Sequence, residues 1–202
     1  NDEPPQRTER RLTMRHSQVT QSEFSRVYMA DSLSYGKKEQ SLPLFVLAQV
    51  LGGGKTSRLY RSLVTQQKIA VAVNVDYNGF SKGPSEISIG LVPEQGITIA
   101  KIEEAMDKEL AIFLKDGMTD EELARAKTLL KADTIFARDG LSSMANIMGW
   151  VRMIGLDTDY FANFPKLVDK ISKEEVLNAA KETLKKEQSV TAILLPEVGG
   201  KK

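Results

Sequence analysis

The sequence predicts an α+β fold, in which helices cover one face of a mostly antiparallel sheet. Three features predict this fold: short alternating apolar and polar segments near the start, two more such segments joined by a turn-rich link, and a long helical block before a final strand. Because strands do not alternate strictly with helices, a purely parallel doubly wound sheet is not expected. The predicted strands are residues 11–15, 23–30, 69–77, 85–92 and 189–195.

The first half of the chain is predicted to contain two helices between its strands. An apolar stretch of helix-forming residues predicts a helix over 38–51, and Gly52-Gly53-Gly54 should end it. A second, shorter helix is predicted over 57–67, with Thr56 or Ser57 as its cap.

The second half of the chain is predicted to be mainly helical. After Thr98 the apolar residues recur at three- and four-residue steps and form one stripe that should pack on the sheet. Two capping boxes, Thr119–Glu122 and Ser172–Glu175, mark helix starts. The stripe consists of Ile99, Ile102, Met106, Leu110 and Phe113. The further helices are predicted over 120–138, 141–154, part of 160–171, and 173–184.

The domain organisation follows from where these elements begin and end. Residues 1–9 are polar and contain two prolines, which predicts a linker or a disordered segment. Residues 10–197 are predicted to form a single domain, and residues 198–202 a tail. The polar, linker-like opening favours a fragment of a longer chain.

Composition excludes several classes of protein. The 202 residues contain 28 basic and 27 acidic side chains, so the strong basic excess of a nucleic-acid-binding protein is missing. No apolar run approaches the roughly 20 residues of a membrane span, which predicts a soluble protein. The sequence has no cysteine, which excludes disulfides and thiolate sites and leaves both the cytoplasm and the bacterial periplasm open.

Gly54-Lys55-Thr56 matches the end of a phosphate-binding loop. The full motif needs a glycine five residues before Gly54, where this chain has Gln49, and a strand in front, where a helix is predicted. We therefore interpret the glycines as a helix-terminating turn.

Catalytic chemistry within the chain is not expected. A catalytic zinc ion needs three protein ligands, and His16 is the single histidine, placed at the end of a predicted strand. The paired carboxylates Glu103-Glu104 and Glu121-Glu122 are interpreted as solvated helix surface or helix caps. Trp150 and Met144, Met148 and Met153 are interpreted as core or interface packing.

Three segments carry a resemblance to a known family. Residues 47–63 contain LGGGKTSRLY, which closely resembles the LGGG-x-S-S-R-L-[FY] segment of insulinase/pitrilysin-like zinc peptidases, the inverzincins. Residues 117–127, GMTDEELARAK, resemble that family's G-[VM]-T-x-x-E-L-x-[RK]-A-K segment. The end, 189–197, is similar to the close of the second half in bacterial members, so the resemblance covers about residues 10–197.

The resemblance implies that this chain is the non-catalytic C-terminal half of a clamshell-like zinc metallopeptidase. In this family the first half carries zinc on H-x-x-E-H, and two similar halves close around an extended peptide. This chain lacks that motif, so zinc is expected in a partner half, either upstream in the same chain or in a separate subunit. An Arg and a Tyr that contact substrate in the family align with Val64 and Val71, while the neighbouring Arg58, Tyr60 and Arg61 remain as candidate substrate-binding residues.

Two functions remain open at this point. The chain either holds substrate in a working metalloendopeptidase or is a structural and assembly paralogue with no role in proteolysis. The hairpin strands bear on the choice. Their alternate positions are small or polar, which suits the wall of a wet peptide chamber. The residues expected to face the helices are Val71, Val73, Val75, Ile87, Ile89 and Leu91. The residues expected to face the chamber are Ala72, Asn74, Asp76, Glu86, Ser88 and Gly90.

Overall fold

A five-stranded sheet forms the base of the domain. The computed structural model describes residues 6–137 and 141–197. Within them the strands lie in the order β1-β5-β2-β4-β3. Each strand begins and ends within one residue of its prediction. The strands are β1 (Arg10–His16), β2 (Glu23–Ala30), β3 (Ala70–Tyr77), β4 (Ser85–Pro93) and β5 (Ser189–Pro196).

The sheet is mostly antiparallel, as predicted. Strand β2 pairs antiparallel with both β4 and β5, and β3 pairs antiparallel with β4 as a hairpin. The exception is β1, which pairs parallel with β5 although almost the whole chain separates them. The edges of the sheet are therefore β1 and β3.

The helices follow the predicted order. Both predicted capping boxes are present, at Thr119–Glu122 and Ser172–Glu175. The first predicted helix opens with a 3₁₀ turn, Lys38–Gln40. The α-helices are α1 (Ser41–Gly52), α2 (Ile99–Asp116), α3 (Asp120–Phe136), α4 (Leu141–Met153), α5 (Asp159–Asp169) and α6 (Lys173–Thr183).

The second predicted helix takes an unexpected form. It is helical from Arg58, and over Tyr60–Gln66 it is a π-helix, which is rare and often found at functional sites. No side chain caps it, and the Ser57 hydroxyl is buried without a hydrogen-bond partner among the described residues. The predicted cap at Thr56 or Ser57 is therefore wrong.

Helix α1 lies at the centre of the helical layer. It is apolar on nearly all sides, as expected of a buried helix, and packs against β3, α3 and α6. On α2 the predicted stripe is confirmed, because Ile102, Met106 and Phe113 are fully buried and pack into the same core. Helices therefore cover one face of the sheet and leave the other face open.

The hairpin strands present the two predicted faces with one correction. Ile87, Ile89 and Leu91 are buried under the helices, whereas Asn74 and Asp76 are exposed. Val71, expected to face the helices, is 47% exposed. The register of β3 against β4 shifts between Ala70 and Ala72, and this bulge displaces Val71 from the alternation.

A buried arginine ties the sheet to α2. Arg26 on β2 is fully buried and donates to Thr191 Oγ1 at 3.1 Å, to Asp107 and to Glu103. Glu103 also accepts two hydrogen bonds from Arg11 on β1, at 2.9 and 2.7 Å. Glu103 is therefore an ion-pair partner, and its interpretation as solvated helix surface is wrong.

Glu122 is the N3 residue of the capping box of α3, as the cap interpretation predicts, and only 14% of its side chain is exposed. Trp150 and Met153 lie outside the core, with 54% and 46% exposed. Neither is therefore a core residue, and their role in interface packing stays a prediction.

The termini are described only in part. Residues 6–9 precede β1 without helix or strand, while residues 1–5 of the predicted linker 1–9 and the predicted tail 198–202 lie outside the described residues. Across the described ranges, no helix has the length and apolar character needed to cross a membrane.

Candidate functional site

The glycine turn ends a helix, as predicted. Helix α1 runs to Gly52, so a helix and not a strand leads into the turn. A Cβ at Gly52 would lie 2.5 Å from the backbone nitrogen of Val75, so the glycine lets α1 approach β3 closely. Gly54 has a φ of 88°, a conformation that glycine adopts without strain.

The cavity between this turn and α3 is too small for a phosphate. The cavity next to Gly53, bounded by α1 and α3, has a volume of about 10 Å³. This is about the room needed for a single water molecule. The geometry therefore favours the helix-terminating turn over a nucleotide site.

Arg58, a candidate substrate contact, is engaged within the domain. Its Nε donates to Glu122 Oε1 at 3.0 Å and its Nη2 donates to Glu122 Oε2 at 2.6 Å. Its guanidinium also lies over the ring of Phe113, 5.1 Å from the centroid, in a cation–π contact. Only 16% of its side chain is exposed, so little of it can reach a peptide.

Glu122 stays ionised in this setting. Burial by itself raises the pKa of this carboxyl, but the hydrogen bonds from Arg58 and from the Thr119 backbone N–H outweigh burial, and the net pKa is lowered. Glu122 accepts the Thr119 bond at 2.8 Å as part of the capping box of α3. One carboxylate thus caps α3 and holds Arg58.

Arg61 is the exposed member of the candidate set. With Arg58 it lines a shallow cleft of about 130 Å³, whose walls also include Ser62, Gln66 and Glu109. In the part of the chain that the structure describes, Arg61 forms no ion pair, so its guanidinium faces solvent. Tyr60 is half-buried and does not line this cleft. The structure thus brings the two arginines together and leaves Tyr60 apart.

The two positions aligned with the family's Arg and Tyr carry no polar side chain here. Val64 lies on the π-helix and packs against the core, and Val71 is exposed on the edge strand β3. Neither residue can donate a hydrogen bond from its side chain to a peptide or an oxyanion.

A zinc ion has no ligand set in the described part of the chain. His16 is the last residue of β1 and is exposed, and its Nδ1 accepts a hydrogen bond from the Gln18 backbone at 3.2 Å. No three histidine or carboxylate side chains of residues 6–137 and 141–197 lie close enough together to hold a metal ion.

The open face of the sheet is divided into two parts. Residues directly opposite one another in neighbouring strands share a face, so the strand register defines each part. The part formed by the hairpin, called here the polar face, includes an Asn74 amide that donates to Asp76 at 2.6 Å. The polar face consists of Asn74, Asp76, Glu86, Ser88 and Gly90.

The part formed by β1, β5 and β2 is mainly apolar, and no pattern in the sequence had indicated it. Leu12, Met14 and Met29 are each more than half exposed. Leu12 pairs with Ala192 and Met14 with Leu194, which places them on the open side of the sheet. We call this part the apolar face. It consists of Leu12, Met14, Val27, Met29, Val190, Ala192 and Leu194, and the polar residues Arg10, Glu23 and Ser25 lie on the same side of the sheet.

Comparison with known proteins defines the class. The profile of the Peptidase M16 inactive domain matches residues 1–130. The chain belongs to this family, and is thus an inactive peptidase domain of the M16 zinc protease family. This match confirms the family resemblance identified in the sequence.

Individual relatives agree with this assignment. The chain is 26% identical over 161 residues to a zinc protease of Streptomyces coelicolor that is itself uncharacterized, covering 77% of this chain and 33% of the relative. It is 28% identical over 131 residues to the non-peptidase homolog YmxG of Helicobacter pylori, covering 65% of this chain and 30% of the relative. The chain therefore spans about one third of the length of these curated relatives.

A solved structure confirms the fold. A protease from Helicobacter pylori superimposes with a TM-score of 0.84 at 21% identity, covering 96% of this chain and 45% of that protease. The predicted α+β architecture is therefore that of a known peptidase-family domain.

Proposed function

We propose that this chain is the substrate-holding, non-catalytic half of a zinc metalloendopeptidase. It acts with a separate H-x-x-E-H half, which carries the zinc and lies either upstream in the same chain or in another subunit. The unit with this role is the domain 10–197, with residues 1–9 as the linker. The observation that carries the proposal is the exposed polar face of the hairpin on a domain whose helices leave that side of the sheet open.

The two parts of the open face suit two tasks. The polar face offers hydrogen-bonding groups to an extended peptide in a water-filled chamber, as Asn74 and Ser88 can bond peptide amides. The apolar face suits contact with the partner half, because exposed contiguous apolar patches mark interaction sites. Closing the two halves would then cover the apolar face and enclose the polar one.

The division of chemistry follows from the residues present. Zinc in the partner half would supply an activated water for attack on the peptide carbonyl. This chain contributes binding and orientation of the peptide through its polar face and the solvent-facing Arg61. The proposal assigns the zinc ligands and the general base to the partner half, since residues 6–137 and 141–197 contain no group that could hold a metal ion.

Charge reversal on the polar face tests this role in the assembled enzyme. Asn74→Lys with Asp76→Lys adds three positive charges to the polar face. We expect KM to rise at least tenfold for basic peptides relative to acidic ones, with little change in kcat, because the change acts on peptide binding and not on the zinc site. Ala100→Lys with Glu104→Lys adds the same charge on the exposed side of α2 and should leave both constants unchanged.

A structural role without proteolysis is the second candidate. Arg58 is occupied by Glu122, valines replace the family's Arg and Tyr, and one relative is a non-peptidase homolog. If the polar-face variant has the kinetics of the unsubstituted enzyme, the substrate-holding role is refuted and the structural role is favoured.

A further inference from the structure

A half-open apolar pocket lies where α4 and α5 meet the loop between β3 and β4. Its volume is about 480 Å³, which falls in the usual range of roughly 300–1,000 Å³ for ligand sites. It lies apart from the Arg58 and Arg61 cleft, with which it shares no residue. The residues that line it are Asn78, Phe80, Ile147, Trp150 and Phe161.

One wall of the pocket is fixed before any ligand arrives. The ring of Phe80 packs against Phe45 and Phe164, with centroid distances of 5.6 and 6.2 Å. Gly79 permits this packing, since a Cβ there would lie 2.6 Å from the ring of Phe45. The Gly79 carbonyl also accepts a hydrogen bond from Leu33 N at 3.0 Å. The ring of Phe80 is thus held in place by Phe45 and Phe164 while it lines the pocket.

The opposite wall exposes a large aromatic side chain. Trp150 is 54% exposed, although burying an indole is strongly favourable. It lies on α4 with Ile147, facing Phe80 and Phe161 across the pocket. Three aromatic rings therefore surround the space, and aromatic pairs gain stabilisation beyond the area they bury.

Among the described residues that line the pocket, Asn78 is polar and none is charged. The Asn78 backbone carbonyl accepts from Ser85 Oγ, but its side-chain amide bonds no described residue. None of the Asp, Glu, Lys and Arg residues that the structure describes lines the space, so they would not compensate a charged ligand for the hydration it loses on entering. A neutral aromatic group joined to an amide meets these requirements.

We propose that this pocket binds the aromatic side chain of a peptide, with the Asn78 amide bonding the peptide backbone beside it. Within a peptide, an aromatic residue has no charged termini, whereas the free amino acid has two. Asn78 directly follows the edge strand β3, so the pocket lies at the end of an unpaired sheet edge. The proposal rests on the proposed function and deepens it, since it names the class of side chain that the held peptide presents.

Trp150 itself reports on occupancy, because it is the single tryptophan of the chain. Titration of the 202-residue chain with N-acetyl-phenylalaninamide should give a saturable change in tryptophan emission. N-acetyl-alaninamide should bind at least tenfold more weakly. No saturable change, or an equal response to both amides, would overturn the proposal.

Two variants separate binding from folding. Phe80→Ala removes the fixed wall, and Ile147→Phe fills the pocket from α4 while leaving the packing of Phe80 intact. Each should weaken the binding of N-acetyl-phenylalaninamide at least tenfold, and Ile147→Phe should keep the far-ultraviolet circular dichroism spectrum of the parent. Phe136→Ala removes an aromatic ring that is 71% exposed and does not line the pocket, and it should bind as the parent does. Parent-like binding by Ile147→Phe would refute the site.

The outcome for the pocket is distinguishable from that for the proposed function. The titration needs no catalytic half, so it tests the pocket alone. If the polar-face variant has an unchanged KM but the chain still binds N-acetyl-phenylalaninamide, the substrate-holding role is refuted and an aromatic-binding site remains. The converse result would refute the pocket and leave the role.

Discussion

Arg58 donates two hydrogen bonds to the carboxylate of Glu122, across 64 residues of sequence. Arg58 belongs to the segment that follows the glycine turn, and Glu122 to the capping box of α3. These are two of the three segments on which the resemblance to the M16 peptidases rests. In this chain they meet, and their contact holds the turn after α1 against the start of α3. Arg58 therefore has a structural role that its sequence position alone did not reveal.

Removing this contact should destabilise the domain. Arg58→Ala leaves a largely buried carboxylate without its main partner, and we expect a loss of about 3 kcal/mol in the free energy of unfolding. Arg61→Ala, at an exposed arginine three residues away, should change it by no more than about 0.5 kcal/mol. Urea denaturation of the two variants measures both values, and equal values would show that Arg58 is not a structural anchor.

The ion pairs around Arg26 predict sensitivity to acid. The two hydrogen bonds from Arg11 hold the pKa of Glu103 below its usual value. The stabilisation from Glu103 is therefore complete above the ordinary glutamate pKa of about 4.3, and it is lost as the pH falls through the lowered pKa of the folded state. Glu103→Gln should cost about 3 kcal/mol at neutral pH, because it leaves buried Arg26 short of a partner.

Measuring the free energy of unfolding at several pH values tests whether the ionisation of Glu103 causes this effect. The difference between Glu103→Gln and the parent should shrink below about pH 4, where the parent carboxylate becomes protonated. Glu104→Gln, at the neighbouring exposed position, should match the parent at every pH. A difference that stays constant down to about pH 2 would mean that ionisation of Glu103 does not contribute.

The close approach of α1 to β3 predicts a strong effect at Gly52. Gly52→Ala places a methyl group 2.5 Å from the Val75 backbone, so the helix must shift, and we expect a loss of about 1–3 kcal/mol. Gly83→Ala meets no atom within 4 Å and should be nearly neutral. Thermal unfolding compares the stability of the two variants. If Gly52→Ala is as stable as the parent, the approach of α1 to β3 is not tight.

Local signals explain how much of the fold was predictable. The caps at Thr119 and Ser172, the glycine turn and the alternating hairpin depend on neighbours within a few residues, so the sequence contains the information. The parallel pairing of β1 with β5 joins the two ends of the chain, and no local pattern indicates it. The apolar face depends on that pairing and was missed with it.

The candidate site was predictable only in outline. The sequence indicated that Arg58, Tyr60 and Arg61 lie near one another, but the burial of Arg58 depends on Glu122 and Phe113, which are distant in sequence. Val71 was assigned to the wrong face because a β-bulge shifts the alternation by one residue. The pocket at Trp150 was missed because it forms only when α4, α5 and the hairpin loop meet.

The most direct test of the account compares three samples in one peptide-cleavage assay, with the zinc content of each sample measured alongside. The samples are this chain alone, an H-x-x-E-H half alone, and the two together. We expect no stoichiometric zinc and no cleavage for this chain alone, slow cleavage by the zinc half, and at least a tenfold rise in kcat/KM when the two are combined. Chelator-sensitive cleavage by this chain alone, or a zinc half whose kcat/KM does not change when this chain is added, would contradict the account.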